Sequence, residues 1–156
     1  MIVYHGGSEV IANPDLKHSR KAVDFGAGFY VTQIESQARS WAEKRKRKTG
    51  VAVVSSYEFD DGTIDDLKIL RFESYTVEWL DFIVECRSLK DLTDWDIVIG
   101  GVANDKVFDT LELFFEGLAS KEQTIDRLQM ETPNMQMCFR TEKALERLKF
   151  LGGEQI

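Results

Sequence analysis

A histidine placed between an apolar run and a glycine pair can offer its ring to a pocket while the neighbouring backbone stays open. The chain begins this way, with Met1-Ile2-Val3-Tyr4 leading into a turn at His5-Gly6-Gly7-Ser8. Either ring nitrogen of His5 can donate or accept there. The alternative is a core histidine satisfied by a backbone carbonyl. A second stretch, Asp24-Phe25-Gly26-Ala27-Gly28-Phe29-Tyr30-Val31-Thr32, runs a Gly-x-Gly turn directly into a short β-type segment. Gly26 and Gly28 carry no Cβ, so the backbone can turn tightly and approach a ligand closely. Tyr30 is then delivered near the start of a strand, at the rim of whatever the turn lines. The alternative is a glycine-rich turn ahead of a core strand.

The elements that must position these groups follow from periodicity. Residues 9 to 23 read as a loop, with a turn signal at Asn13-Pro14-Asp15 and a basic stretch, Lys17-His18-Ser19-Arg20-Lys21, in which His18 is a solvated side chain. Ile34 to Lys48 is a helix with Ile34, Ala38, Trp41 and Ala42 on one face. Its basic end, Lys44 to Lys48, complements the helix dipole, with a nucleic-acid patch as the minority alternative. Val51 to Phe59 and Ile69 to Phe72 are strands, and a helix from about Tyr75 to Arg87 carries the core stripe Tyr75, Trp79, Phe82, Ile83 and Cys86. Ile97 to Ile99 is a fully apolar central strand that the pair Gly100-Gly101 breaks.

Asn104 either caps the next helix or reaches the site from a loop. That helix has an apolar face of Val107, Phe108, Leu111, Phe114, Phe115 and Leu118. Ser120 to Gln123 is a capping box opening a further helix. Met135 to Phe139 is a last strand, apolar except at Gln136, and Thr141 caps a C-terminal helix through Ala144, Leu145 and Leu148. Strands and helices intermix without regular alternation, which points to an α+β fold. The length of 156 residues suits one domain, residues 1-156.

Composition narrows the function classes. A chain with 43% apolar and 30% charged residues is expected to be an ordinary globular protein. A net charge of -7 argues against a general nucleic-acid or membrane-surface binder. Cys86 and Cys138 sit among apolar neighbours and read as buried thiols of a reducing compartment, with no Cys/His cluster for zinc. No signal peptide and no membrane span is legible, so a cytoplasmic location is expected. The Asp-Phe-Gly at residues 24 to 26 is not that of a protein kinase, because no Gly-rich loop, strand lysine or His-Arg-Asp loop accompanies it.

Three pieces then stand together: Tyr-His-Gly on a first strand, Gly-x-Gly-Phe-Tyr on a second, and a late strand with one polar residue among apolar ones. This resembles the ADP-ribosyltransferase superfamily in its branch similar to diphtheria toxin and poly(ADP-ribose) polymerase. That branch carries a His-Tyr-Glu signature on a split β-sheet, with flanking helices, that binds NAD. Nearly the whole chain also looks like a bacterial domain of unknown function within that superfamily. The runs supporting this are Asp24 to Tyr30, Trp79-Leu80-Asp81-Phe82-Ile83, Ile97-Val98-Ile99-Gly100 and Thr141-Glu142-Lys143-Ala144-Leu145.

The resemblance implies that His5 hydrogen-bonds the adenine-ribose 2′-hydroxyl, the Gly6 backbone holds the nicotinamide amide, and Tyr30 stacks on the nicotinamide ring. It places Arg20, Asp24, Gly28 and Asn104 among the cofactor-binding positions. His5, Tyr30 and Gln136 are the expected catalytic set. Gln136 departs from the signature, which has glutamate there. It keeps a hydrogen-bonding oxygen but lacks the charge that would stabilise an oxocarbenium-like ribose; alternatively it is a polar residue of an edge strand. The implied function is transfer of ADP-ribose from NAD, as substrate, to a protein or nucleic-acid acceptor. A mono-transferase of this size fits the toxic half of a toxin–antitoxin pair, with an antitoxin protein as partner. No metal and no membrane are implied. Two alternatives stay open: a catalytically inactive NAD or ADP-ribose binding module, and an RNA 2′-phosphotransferase using the Arg20-Lys21 neighbourhood to hold phosphate.

Overall fold

A computed structural model describes residues 1–17, 23–91 and 93–156. Its elements in chain order are β1 (Ile2–Gly7), β2 (Phe29–Val31), α1 (Glu35–Thr49), β3 (Val53–Phe59), β4 (Ile69–Arg71), α2 (Val77–Arg87), β5 (Ile97–Gly101), α3 (Asp105–Phe115), α4 (Lys121–Leu128), β6 (Met135–Phe139), α5 (Glu142–Leu145) and β7 (Leu148–Gln155). The fold is α+β. One sheet has the order β1-β3-β7 and the other β2-β6-β5-β4. Among the described strands the pairing is antiparallel except between β4 and β5, which α2 connects.

Side chains sort by strand alternation into three packed layers. Val3, Phe29, Val31, Tyr57, Phe59, Ile97, Ile99, Met137 and Phe139 form one buried core cluster, drawn from both sheets. Trp79, Leu80 and Ile83 of α2, with Val107, Leu111, Ile125 and Leu128, cover the other face of the four-stranded sheet at Val98 and Cys138. Ala38 and Ala42 of α1 lie on Ala52 and Val54 of the three-stranded sheet. Small residues let α1 approach closely. A Cβ at Gly6 would collide with the Ala38 carbonyl oxygen and come within 2.9 Å of the Ala42 nitrogen. α1 stops at Gly50, whose φ is 78 and whose N–H donates to the Lys46 carbonyl.

Five expectations need correction. β1 does not end at Tyr4; it continues through His5, Gly6 and Gly7, which pair with Ser55, Val54 and Val53. Tertiary pairing overrides the turn tendency of the glycines, and likewise Gly100 and Gly101 stay within β5. β6 is not the last strand, because α5 is a single turn and Leu148 opens β7, which completes the sheet against β3. The expected face of α3 is too wide. Val107 and Leu111 are buried, while Phe108 and Phe115 are 40% and 43% exposed, since adjacent residues on a helix point about 100° apart and cannot all face inward; Leu118, 71% exposed, lies beyond the helix end. Finally, β6 is an interior strand between β2 and β5, so Gln136, 4% exposed, is not an edge residue.

Candidate functional site

β1 and β2 meet through one bridge. Tyr4 and Thr32 exchange both backbone hydrogen bonds, at 2.8 and 2.9 Å. The next exchange along an antiparallel ladder would join Gly6 to Tyr30, two residues on. It is not made. His5 Nδ1 donates to the Tyr30 carbonyl oxygen instead, at 2.8 Å. Backbone groups alternate sides along a strand, so Gly6, like Tyr4, directs its N–H and C=O away from β3 and toward β2. The sheet gives Gly6 no strand partner on that side beyond the Tyr4–Thr32 bridge. The two strands thus diverge beyond that bridge into a notch, with the buried Gly6 backbone on one side and Tyr30 on the other.

The His5 ring lies on Phe29, with centroids 4.4 Å apart and an interplanar angle of 24°. A carbonyl oxygen only accepts, so Nδ1 carries the proton and Nε2 of the neutral ring is an acceptor. Burial pulls the imidazole below its ordinary 6.5; the bond to the Tyr30 carbonyl works the other way, and the Arg45 charge lowers the value again. His5 is therefore uncharged at neutral pH. The two readings of this residue are not exclusive, because one nitrogen is satisfied by a carbonyl and the other keeps its acceptor lone pair.

Tyr30 ties the glycine turn down with its hydroxyl. It donates to the Gly26 carbonyl at 2.6 Å and accepts from the Phe25 N–H at 3.0 Å. Gly26 needs its missing Cβ for a φ of 77. Gly28 needs it for space, since a Cβ there would collide with Cys138 Sγ and lie 2.7 Å from the Phe139 carbonyl oxygen. Burial pushes the Tyr30 phenol far above its usual value. Its hydroxyl is thus structural, and its half-buried ring packs against the helix-covered core. Burial also pushes the free Cys86 and Cys138 thiols up to about 12, so both are inert, as their apolar neighbours imply.

Asp24 begins the same turn. Arg87, the last residue of α2, donates to Asp24 Oδ1 from two nitrogens, at 2.5 and 3.2 Å. Gln136 Nε2 donates to Asp24 Oδ2 at 3.4 Å. Gln136 alternates with Met137 and shares the parity of Cys138, whose side chain packs among Trp79, Leu80 and Ile83 on the helix-covered face. Arg87 is seated over the rings of Phe108 and Phe115, at 5.7 and 5.5 Å.

The fold therefore brings Asp24, Gln136 and the Tyr30-locked turn together, and joins His5 to them through the Tyr30 backbone. Asn104 Oδ1 caps α3, accepting from Val107 N–H at 3.0 Å. Arg20, with His18 and Lys21, lies outside the described residues. Arg87 escaped the sequence reading. It ends a helix like any basic residue, and no linear signal links it to a carboxylate 63 positions away.

The notch, the glycine turn and the late strand all fall within one family match. The family model described as "Protein of unknown function (DUF3990)" matches residues 1–150. The chain belongs to that family. No curated protein and no solved structure matches the chain.

Two surface hollows lie away from the notch. One, of about 690 Å³, is lined by Glu58, Asp60, Asp61 and Glu146 beside Arg147 and Lys149. The other, of about 320 Å³, lies by Tyr4, Glu35 and Glu154. Carboxylates at both disfavour phosphate groups. Among the described residues no group of three or more His, Cys, Asp or Glu is placed to hold a metal ion, and no helix is long and apolar enough to cross a membrane.

Proposed function

We propose that this chain is an ADP-ribosyltransferase-like protein that binds NAD at the notch between β1 and β2 and transfers ADP-ribose to a macromolecular acceptor, protein or nucleic acid. The observation that carries the reading is the interrupted ladder. His5 takes the Tyr30 carbonyl, and the Gly6 N–H and C=O face Tyr30 with no ladder to β2 beyond the Tyr4–Thr32 bridge. A carboxamide needs one donor and one acceptor fixed in that relation, and backbone supplies both without rotamer freedom. The Tyr30 ring offers a flat wall to the nicotinamide. The acceptor nitrogen of His5 suits a ribose hydroxyl. Two sheets joined at one bridge also accord with the split sheet of that superfamily.

A second reading, a binding module without turnover, is favoured by the uncharged Gln136 where a transferase of this kind has glutamate. One experiment separates them. Purified protein is incubated with labelled NAD, and free nicotinamide is measured beside label on protein and RNA. Nicotinamide with labelled polymer supports transfer, and nicotinamide with free ADP-ribose supports hydrolysis. NAD binding with neither supports the module, and absence of NAD binding overturns the proposal.

A further inference from the structure

Resting on the reading of the notch as an NAD site, we infer that Asp24 supplies the negative charge that Gln136 lacks, and that Gln136 and Arg87 are its positioning residues. Cleavage of NAD breaks the bond between the ribose C1′ and the nicotinamide nitrogen. The bonding pair leaves with the nitrogen, neutral nicotinamide departs, and positive charge develops on the ribose. The acceptor's lone pair then forms the new bond to C1′, and its proton leaves to water. An anion held beside the ribose lowers the barrier to the first step.

Among the described residues, Asp24 is the carboxylate hydrogen-bonded to the expected catalytic set. Gln136 Nε2 reaches its Oδ2 at 3.4 Å, and Tyr30 fixes the two residues that follow it through Phe25 N–H and Gly26 C=O. The Asp24 side chain is 16% exposed, so it is screened from bulk water without being sealed off. Arg87 occupies Oδ1, is held from behind by Phe108 and Phe115, and leaves Oδ2 to the Gln136 side. Each carboxylate oxygen has two lone pairs, so Oδ2 keeps one acceptor direction after taking the amide. Gln136 in place of glutamate is then coherent. A second carboxylate 3.4 Å from Asp24 would repel it, whereas an amide orients it. The charge has moved from the strand to the turn.

The test measures nicotinamide released from NAD with water as acceptor, NAD affinity by calorimetry, and thermal melting. Asp24→Asn keeps an oxygen for Arg87 and removes the charge. It should release nicotinamide about a hundredfold more slowly at saturating NAD. The exchange variant Asp24→Asn/Gln136→Glu returns one carboxylate to the pair with donor and acceptor reversed, and should recover at least about tenfold of that loss. A purely structural Asp24 predicts no such recovery. Wild-type turnover in folded Asp24→Asn, or an exchange variant as slow as the single one, overturns the role of Asp24 and leaves the NAD site standing. Wild-type protein that binds NAD without releasing nicotinamide overturns both turnover and this role. Wild-type protein that does not bind NAD overturns the site itself.

Discussion

His5 Nδ1 donates to the backbone carbonyl of Tyr30 across 2.8 Å, and this one bond both opens the strand ladder and sets the tautomer of the ring. The same tyrosine, through its hydroxyl, holds the glycine turn on the far side of its own strand. Tyr30 is thus the hinge pin between the histidine and the Asp24–Gln136 pair.

The half-buried, neutral His5 makes stability pH-dependent. Its folded value lies below 6.5, so below that pH the unfolded chain binds a proton that the folded chain refuses. The contribution of His5 to stability is complete above about 6.5 and is lost as pH falls from there toward the lowered value. NAD affinity should stay level at alkaline and neutral pH and weaken as pH falls through the lowered value, where Nε2 becomes a donor. Calorimetry against pH, with His5→Gln as the comparison, checks this. An affinity that rises on acidification would assign the opposite protonation state.

Tyr30→Phe separates anchoring from stacking. The ring stays, but Phe25 N–H and Gly26 C=O lose their shared partner. Stability should fall by about 1–3 kcal/mol, read from urea denaturation. The ring wall remains, so NAD affinity should fall less than in Tyr30→Ala. Equal losses of affinity in the two variants would show that the hydroxyl, not the ring, matters to the ligand.

Gln136→Glu alone should be harmful in a pH-dependent way. The introduced carboxyl would stand about where Nε2 now lies, 3.4 Å from Asp24 Oδ2. Like charge raises its folded pKa above the ordinary value of about 4.3. A raised acid contributes stability below its unfolded value and loses it as pH rises through the folded one. The melting-temperature deficit against wild type should therefore be small near pH 4 and widen toward about pH 7. A deficit that stays constant over that range would place the two groups out of contact.

Trp79 is fully buried and packs edge-on against Tyr75, with centroids 4.7 Å apart. Trp79→Ala should cost about 3–5 kcal/mol. Its Nε1 has no hydrogen-bond partner among the described residues, so Trp79→Phe removes an orphan donor together with volume and should cost distinctly less than the alanine change. A melt of Trp79→Ala that barely moves would contradict its place in the core.

Local signals reached far into this fold. Caps were readable because they depend on residues three positions apart: Ser120 with Gln123, Thr141 with Ala144, Asn104 with Val107. The aromatic stripe of α2 and the apolar β5 were readable because burial on one face imposes a period. The glycine turn and its tyrosine were also legible, since they are contiguous. What the chain could not disclose by itself are relations between distant residues. That β1 runs through Gly6 and Gly7 depends on β3, about fifty residues on. That β7 is a strand depends on pairing with β3, because its own residues alternate weakly and include two glycines. That Gln136 lies inside the sheet, and that its amide meets Asp24 with Arg87 behind, depends on three elements converging from separations of 112 and 63 residues. Hydrogen bonds and charge pairs across such distances leave no periodicity in the sequence. They arise only when the sheets and helices have packed, and here that packing decides which carboxylate stands beside the late strand.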